Sequence, residues 1–261
     1  MMTLIFSFIF GTIVGSFLNV CIFRLPTHQS VVTPSSYCLS CKQPIAFYDN
    51  IPILSFIILR GKCRKCKAPI SYQYPLVEFL TALFSLILMI RYGLSLNYAV
   101  YFTFSAALIT ITAIDIKHQI IPDIITLPGI AMGLLISFLL STLTFIDSLI
   151  GIVAGGGSLL LVAGGYYLFT KKEGMGLGDV KLLAMMGAFL GWRSILFIIV
   201  VGSFSGALVG ITVMLLKKKD RRYAIPFGPF LSLGALSYLL YGQEIIHWYI
   251  QLQFWIKGLI G

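Results

Sequence analysis

Residues 174–182 read Gly174-Met175-Gly176-Leu177-Gly178-Asp179-Val180-Lys181-Leu182, and this stretch joins two long apolar runs. The three alternating glycines lack a Cβ, so the backbone can adopt positive φ and approach a bound group closely. One carboxylate, Asp179, follows them where the second apolar run begins. An ionisable group at such a depth is costly, and the chain has only 9 acidic residues to place. The stretch therefore predicts a functional site at a membrane boundary.

The composition of the whole chain is that of a polytopic membrane protein. Of its 261 residues, 58% are hydrophobic and only 11% are charged, too few to cover a soluble domain of this size. The first apolar run lacks a basic segment before it, so it is not a cleavable signal. The predicted fold is all-α, with about eight transmembrane helices at residues 2–23, 76–91, 98–114, 124–142, 146–169, 178–192, 194–216 and 227–242.

The positive charges are distributed unevenly between the two sides of these spans. With the N-terminus outside, most of the 19 lysines and arginines fall in the inner segments 24–75, 115–123, 170–177 and 217–226. This asymmetry is the positive-inside pattern. It explains the net charge of +10 without a nucleic-acid partner. The basic run 217–222 is interpreted as a topology anchor, with contact to acidic membrane lipids as the alternative.

The inner segment 24–75 is the one sizeable piece predicted to lie outside the membrane. Its length of about fifty residues is too short for a good hydrophobic core without a crosslink or a metal. Two C-x-x-C pairs fit a tetrahedral zinc site with four thiolate ligands: Cys38, Cys41, Cys63 and Cys66. The alternatives are a redox dithiol or a lost metal, with an iron–sulfur cluster less favoured, and we expect zinc with a structural role. The predicted domains are 1–23, a first transmembrane helix; 24–75, the four-cysteine loop; and 76–261, a membrane domain.

Asp115 ends the third predicted span and Asp179 begins the sixth, so both face the predicted cytoplasmic side. Two adjacent carboxylates cannot both ionise easily, so one keeps a proton while the other acts as a base. Such a pair can activate water and protonate a leaving amine, which is aspartic-protease chemistry. Structural alternatives are pairing of Asp115 with Lys117 and of Asp179 with Lys181. Asp123, which follows Pro122, is interpreted as an N-cap.

The chain resembles the type IV prepilin peptidases, bacterial inner-membrane aspartic proteases with a G-x-G-D motif, over nearly its whole length. Several motifs carry the resemblance in this order: Gly15-Ser16-Phe17-Leu18-Asn19-Val20, Arg24-Leu25-Pro26, the four-cysteine loop with Asn50-Ile51-Pro52 and Arg60-Gly61, Tyr74-Pro75-Leu76-Val77-Glu78, Asp115 with Ile121-Pro122-Asp123, residues 174–182, and Pro226-Phe227-Gly228-Pro229.

The resemblance implies that Asp115 and Asp179 are catalytic. It implies cleavage of a short basic leader after glycine, at the cytoplasmic face, from type IV prepilins or pseudopilin-like substrates. It further implies methylation of the new N-terminus with S-adenosylmethionine, an activity associated with the cysteine loop; the residues that bind this methyl donor are not identified. Glu78 or Glu173 is a candidate acidic partner for the leader.

Two other functions fit parts of the pattern. Presenilin-like and signal-peptide-peptidase-like intramembrane proteases also use G-x-G-D, but they carry a Tyr-Asp pair where this chain has Ile114-Asp115, and they lack a four-cysteine loop. A non-enzymatic ion- or proton-coupled transporter would place its acidic residues at the bilayer midplane in broken helices. The predicted position of both aspartates at one face disfavours the transporter.

Overall fold

The structure is a computed structural model that describes residues 1–140, 142–171, 176–217 and 225–260. Gly174 and Met175 of the glycine-rich stretch, Glu173, and residues 218–222 of the predicted basic anchor lie outside the described residues. Within the described ranges the chain is helical and has no β-strand. Extended pairing there is confined to two isolated bridges, Tyr37 with Pro44 and Lys62 with Pro69.

The helices after residue 72 follow one another with short connections, whereas the first three are joined by the longer segments 25–53 and 59–72. Their bounds are α1 Met2–Arg24, α2 Leu54–Ile58, α3 Gln73–Tyr92, α4 Leu96–His118, α5 Asp123–Ile136, α6 Phe145–Thr170, α7 Leu177–Leu190, α8 Arg193–Lys217 and α9 Gly228–Ile260. Each of the eight predicted spans overlaps one helix, although the helix at 124–142 ends early, at Ile136. The five helices α1, α3, α4, α6 and α8 are long and apolar enough to cross a membrane, and α5 is a shorter apolar helix. The final helix extends well beyond the predicted end at residue 242.

The chain divides into two compact units, Met1–Pro122 and Asp123–Gly261. In the first unit, α1 packs against α3 through two glycines. A Cβ on Gly15 would lie 2.6 Å from the Cα of Glu78, so only glycine allows the two backbones to come this close. A buried polar cluster joins the same helices to α4, because the Ser85 hydroxyl hydrogen-bonds with Ser7 at 2.8 Å and with Tyr98 at 2.7 Å.

In the second unit, the short helix α7 packs against α5 and α6 and contacts α8 and α9. Its residues from Leu182 to Phe189 are buried without interruption. The helix reaches this enclosed position because Gly151 of α6 and Gly187 of α7 meet backbone to backbone. Gly155, four residues further along α6, likewise meets the backbone of Leu183.

The contact between α6 and α7 predicts a sharp difference between two glycines of α6. In Gly151→Ala the added Cβ would collide with the carbonyl of Gly187, and overpacking of this kind costs about 1–3 kcal/mol. In the matched control Gly157→Ala the Cβ meets nothing within 4 Å, so the better helix propensity of alanine leaves stability equal or raises it by up to about 1 kcal/mol. Thermal unfolding in detergent measures both. Equal midpoints for the two variants would contradict the assigned contact.

Candidate active site and metal centre

The four cysteines of the loop between α1 and α3 converge on one point. Their Sγ atoms all lie within 4.8 Å of one another, and those of Cys38 and Cys66 are 3.8 Å apart. Four thiolates around zinc at about 2.3 Å place neighbouring sulfur atoms about 3.8 Å apart, the edge of the tetrahedron. The observed separations fit this geometry. The cysteines therefore form a candidate metal centre, as the sequence predicts.

The two knuckles are structural copies of each other over residues 37–45 and 62–70. In each knuckle the backbone N–H of the first cysteine donates to the backbone carbonyl of the residue five positions later. These hydrogen bonds run from Cys38 to Gln43 at 2.9 Å and from Cys63 to Ala68 at 2.8 Å. In each, the lysine that follows the second cysteine has φ near 59°. The repeated string C-x-x-C-K-x-P-I is visible in the sequence, but the sequence analysis identified only its cysteines.

The electrostatics of the cysteine cluster favour a bound cation. A hydrogen bond from the backbone N–H of Cys41 is the main reason that the pKa of Cys38 is lowered to about 6. The backbone N–H of Cys66 does the same for Cys63, whose pKa is also lowered. A backbone N–H from Ala68 acts to lower the pKa of Cys66, but partial burial and the neighbouring thiols outweigh it and raise that pKa to about 11. Four thiolates this close need a cation between them to ionise together.

Polar contacts connect the second knuckle to the rest of the loop. Arg64 makes a two-pronged ion pair with Asp49 at 2.6–3.0 Å, and this pairing lowers the pKa of Asp49. The ammonium of Lys65 donates to the side-chain oxygen of Gln43, 2.6 Å away on the first knuckle. The two knuckles are thus joined by side chains as well as by the shared sulfur cluster.

Two buried polar side chains, Glu78 and Arg24, attach the loop to α3 and α1, and a third, Asn19, joins these two helices to each other. Glu78 of α3 is 7% exposed and accepts the backbone N–H of Ile53 at 2.7 Å. Asn19 of α1 donates to the carbonyl of Tyr74 at 3.1 Å. Arg24, at the end of α1, donates to the carbonyls of Ser30 and Pro34 at 2.9 and 2.7 Å. Because the Glu78 carboxylate is buried and bound to the loop, the structure argues against its predicted role as an acceptor for the leader.

Asp115 lies in the last turn of α4, in the first compact unit. It is 5% exposed, and its carbonyl accepts the N–H of Gln119, which caps the helix in the left-handed conformation with φ 54°. The adjacent Ile114 is fully buried against Leu18, Ile22 and Val77 of α1 and α3. Lys117 is exposed, in contrast to the buried Asp115. The partial negative charge of a helix C-terminus makes this a costly position for a carboxylate.

Asp179 lies in the first turn of α7, in the second compact unit. Its side chain is half-buried, and its backbone N–H bonds to the carbonyl of Gly176, the residue before the helix. A helix N-terminus favours negative charge, so the helix dipole acts oppositely on Asp115 and Asp179. Each aspartate has the helix-end position that the sequence predicts. The pairing of the two carboxylates stays a prediction.

Asp123 and Lys181 form an ion pair within the second unit. Both carboxylate oxygens of Asp123 accept from the Lys181 ammonium at 2.8 Å. Asp123 is the first residue of α5, and Lys181 lies in α7. The ion pair therefore joins the start of α5 to α7. The interpretation of Asp123 as an N-cap missed this contact, which links residues 58 positions apart and leaves no local pattern in the sequence.

Comparison with known protein families gives two matches. Residues 9–92 match the bacterial peptidase A24 N-terminal domain, and residues 102–211 match the type IV leader peptidase family. The first match contains the four cysteines and the second contains both Asp115 and Asp179. No solved structure matches the chain significantly.

Curated relatives cover most of the chain. A protein of Aeromonas hydrophila named prepilin leader peptidase/N-methyltransferase is 37% identical, over 93% of this chain and 92% of its own length. A Pseudomonas putida protein of the same name is 36% identical, over 91% of this chain and 90% of its own length. A Myxococcus xanthus protein of that name is 40% identical over 81% of this chain and 63% of its own length.

Metal analysis tests the cysteine centre. We expect one zinc ion per purified chain, lost in Cys38→Ser and in Cys66→Ser, because a tetrahedral site with one thiolate missing binds far more weakly. Cys21→Ser is the matched control, since Cys21 lies in α1 outside the cluster. Elemental mass spectrometry of the detergent-purified variants gives the stoichiometry. Zinc retained in both knuckle variants would contradict the assignment.

A double-mutant cycle tests the ion pair between Asp123 and Lys181. The two side chains are 55% and 34% exposed, so their coupling should be modest, about 0.2–1 kcal/mol. Unfolding midpoints of Asp123→Asn, Lys181→Met and the double variant give this coupling, and high salt should weaken it. The charge-exchanged double variant, Asp123→Lys with Lys181→Asp, should be more stable than either charge reversal alone. Additive effects of the two single substitutions would exclude the pair.

Proposed function

Because the chain belongs to the type IV leader peptidase family, we propose that it is a membrane aspartic endopeptidase that removes the leader of prepilins and methylates the new N-terminus. The observation that carries the proposal is the placement of two carboxylates at helix ends, Asp115 buried at the end of α4 and Asp179 at the start of α7. The names of the curated relatives supply both activities.

For the peptidase reaction we propose that Asp115 and Asp179 act as a coupled pair. One carboxylate accepts a proton from a water molecule, and the oxygen of that water forms a bond to the carbonyl carbon of the scissile peptide. The other, protonated carboxyl supplies a proton to the nitrogen, the C–N bond breaks, and a free amine leaves. Because two interacting carboxyl groups titrate together, neither residue is assigned the acid or the base role alone.

The cysteine loop is proposed to support the second activity. The sulfur atoms of Cys38, Cys41, Cys63 and Cys66 would bind one zinc ion and so stabilise a segment that buries little apolar surface. S-adenosylmethionine would supply a methyl group to the amine that cleavage exposes. We therefore divide the chain by proposed role into three parts: a first helix at 1–23, the zinc loop at 24–75 and a peptidase domain at 76–261.

The location of the reaction is proposed from the charges. α1 ends with Arg24 in its last turn and α4 ends with Lys117 and His118, whereas α6 begins with an acidic first turn. With the N-terminus outside, the positive-inside rule places the ends of α1 and α4 at the cytoplasmic face of the bacterial inner membrane. Prepilins or pseudopilin-like substrates would meet the site there, where an apolar substrate helix leaves the bilayer and its basic leader stays in water.

Neither alternative function is favoured by the structure or the comparisons. A transporter would not require a four-thiol cluster in a loop between spans, and the family assignment argues against it. The N-terminal family match over residues 9–92 contains this cluster, a segment that presenilin-like proteases lack. The family assignment therefore favours the prepilin peptidase over both alternatives.

Cleavage assays on purified variants test the proposal. Purified enzyme in detergent is incubated with a prepilin whose leader ends in glycine, and leader loss is read by mass. We expect Asp115→Asn and Asp179→Asn to lose about 10²–10⁴-fold in cleavage rate, the usual contribution of a positioned acid or base. With S-adenosylmethionine present, the wild-type product should gain the mass of one methyl group.

The matched control for this assay is Asp123→Asn. Asp123 also begins a helix, but its carboxylate bonds Lys181, and it has no proposed contact with the substrate. This variant should retain most of the wild-type rate. Normal cleavage by Asp115→Asn or by Asp179→Asn, in a protein whose unfolding midpoint is unchanged, would refute the role assigned to that residue.

A further inference from the structure

The short helix α2, within the loop between α1 and α3, exposes an apolar face. Leu54, Ile57 and Ile58 follow the i, i+3, i+4 spacing of one helix face and are 55%, 63% and 71% exposed. The opposite side of α2 is packed, because the Ser55 hydroxyl donates to the carbonyl of Tyr48 and the Phe56 ring lies against Tyr72. An outward row of large aliphatic side chains on a loop is costly in water.

The position of α2 along the first unit is fixed by the hydrogen bond from Ile53 to Glu78. Ile53 immediately precedes α2, and Glu78 lies in the second turn of α3, a helix long and apolar enough to cross a membrane. At about 1.5 Å per residue, Glu78 is about 8 Å along α3 from its first residue, Gln73. The bond therefore places the start of α2 beside the first turns of a membrane-spanning helix rather than beyond its end.

The backbone of Ile53 shows that this attachment is imposed on the loop. Ile53 has φ 61° and ψ −51°, outside the left-handed helical region, and a positive φ is strongly disfavoured for a β-branched residue. Such a conformation persists when surrounding contacts require it. Its N–H is bound to a carboxylate that is itself buried, and α2 begins at the next residue. The orientation of α2 against α3 is thus held by a specific contact.

Basic residues flank the apolar face. Arg60 and Lys62, both exposed, follow α2 directly, and Arg64, Lys65 and Lys67 come next. Asp49 is the one acidic residue in the sequence of segment 24–75, and Arg64 binds it. A lysine or arginine close to an anionic membrane surface is attracted to the lipid headgroups. An apolar row next to basic side chains is the composition of a helix that lies in a membrane interface.

We propose that α2 is an interfacial helix whose face of Leu54, Ile57 and Ile58 is buried in the lipid leaflet around the ends of α1 and α3, with anionic headgroups bound by the basic residues that follow it. The occupant of this apolar face is lipid, because α2 lies at the depth of the first turns of a spanning helix and carries net positive charge on its flank. The contact would fix the cysteine loop to the membrane surface, independently of the reaction assigned to the chain.

Site-specific photocrosslinking identifies what covers α2. The full chain carries p-benzoylphenylalanine in place of Ile57 or, in a second variant, Ile58, and is reconstituted in vesicles of phosphatidylethanolamine and phosphatidylglycerol. Irradiation should give lipid adducts at both positions, detected by mass. The matched control replaces Leu39, which is 49% exposed between two cysteines of the first knuckle and should give no lipid adduct.

Three results would overturn the proposal. The first is adducts from positions 57 and 58 to protein, either this chain or an added prepilin, in place of lipid. The second is a lipid yield at position 39 equal to that at position 57. The third concerns the double variant Arg60→Gln with Lys62→Gln. Compared with its parent, this variant should give a lower lipid yield at position 57 in vesicles with phosphatidylglycerol and an unchanged yield in vesicles of zwitterionic lipid alone. A yield equal to that of the parent in both vesicle types would exclude the anionic headgroup contact.

Discussion

The enclosure of α7 by its neighbours is the constraint on which the second unit depends. A helix of 14 residues is about 21 Å long, too short to cross a hydrocarbon core of about 30 Å alone. Close backbone contact with α6 at Gly151 and Gly187 lets α5 and α6 cover this helix with protein. Since apolar side chains gain little by leaving lipid for protein, packing supplies the attraction, and small residues make that packing possible. Asp179 begins this helix, so the same contacts fix its position.

The loop between α1 and α3 is stabilised in a different way from the second unit. Its water-exposed segment buries few large side chains, so it cannot rely on the hydrophobic effect for its shape. The structure instead uses two copies of one knuckle, each closed by the same backbone hydrogen bonds, around four converging sulfur atoms. Two buried polar groups, Glu78 of α3 and Arg24 at the end of α1, attach this module to the membrane part of its unit.

Two buried carboxylates, Asp115 and Glu78, differ in their surroundings from most other charged groups of the chain. Most lysines and arginines within the described part of the chain are exposed. In contrast, Asp115 and Glu78 are buried in spanning helices, where a carboxylate is costly. Glu78 has a structural reason for its position in its bond to Ile53. Asp115 lies at a helix end whose dipole disfavours its charge, and its catalytic role is a proposal.

The sequence alone determined the helices, the four-cysteine cluster and the family, because each has a local signal. Apolar runs between charged segments located a helix at each of the eight predicted spans, and C-x-x-C spacing identified the four thiols. The sequence also singled out Asp115 and Asp179, and their pairing stays a prediction. Only the tertiary structure showed that Asp123 binds Lys181, that Glu78 binds the loop, and that α2 exposes an apolar face. These features depend on contacts between residues far apart in the chain, and no periodicity or motif records which distant side chain a polar group will meet.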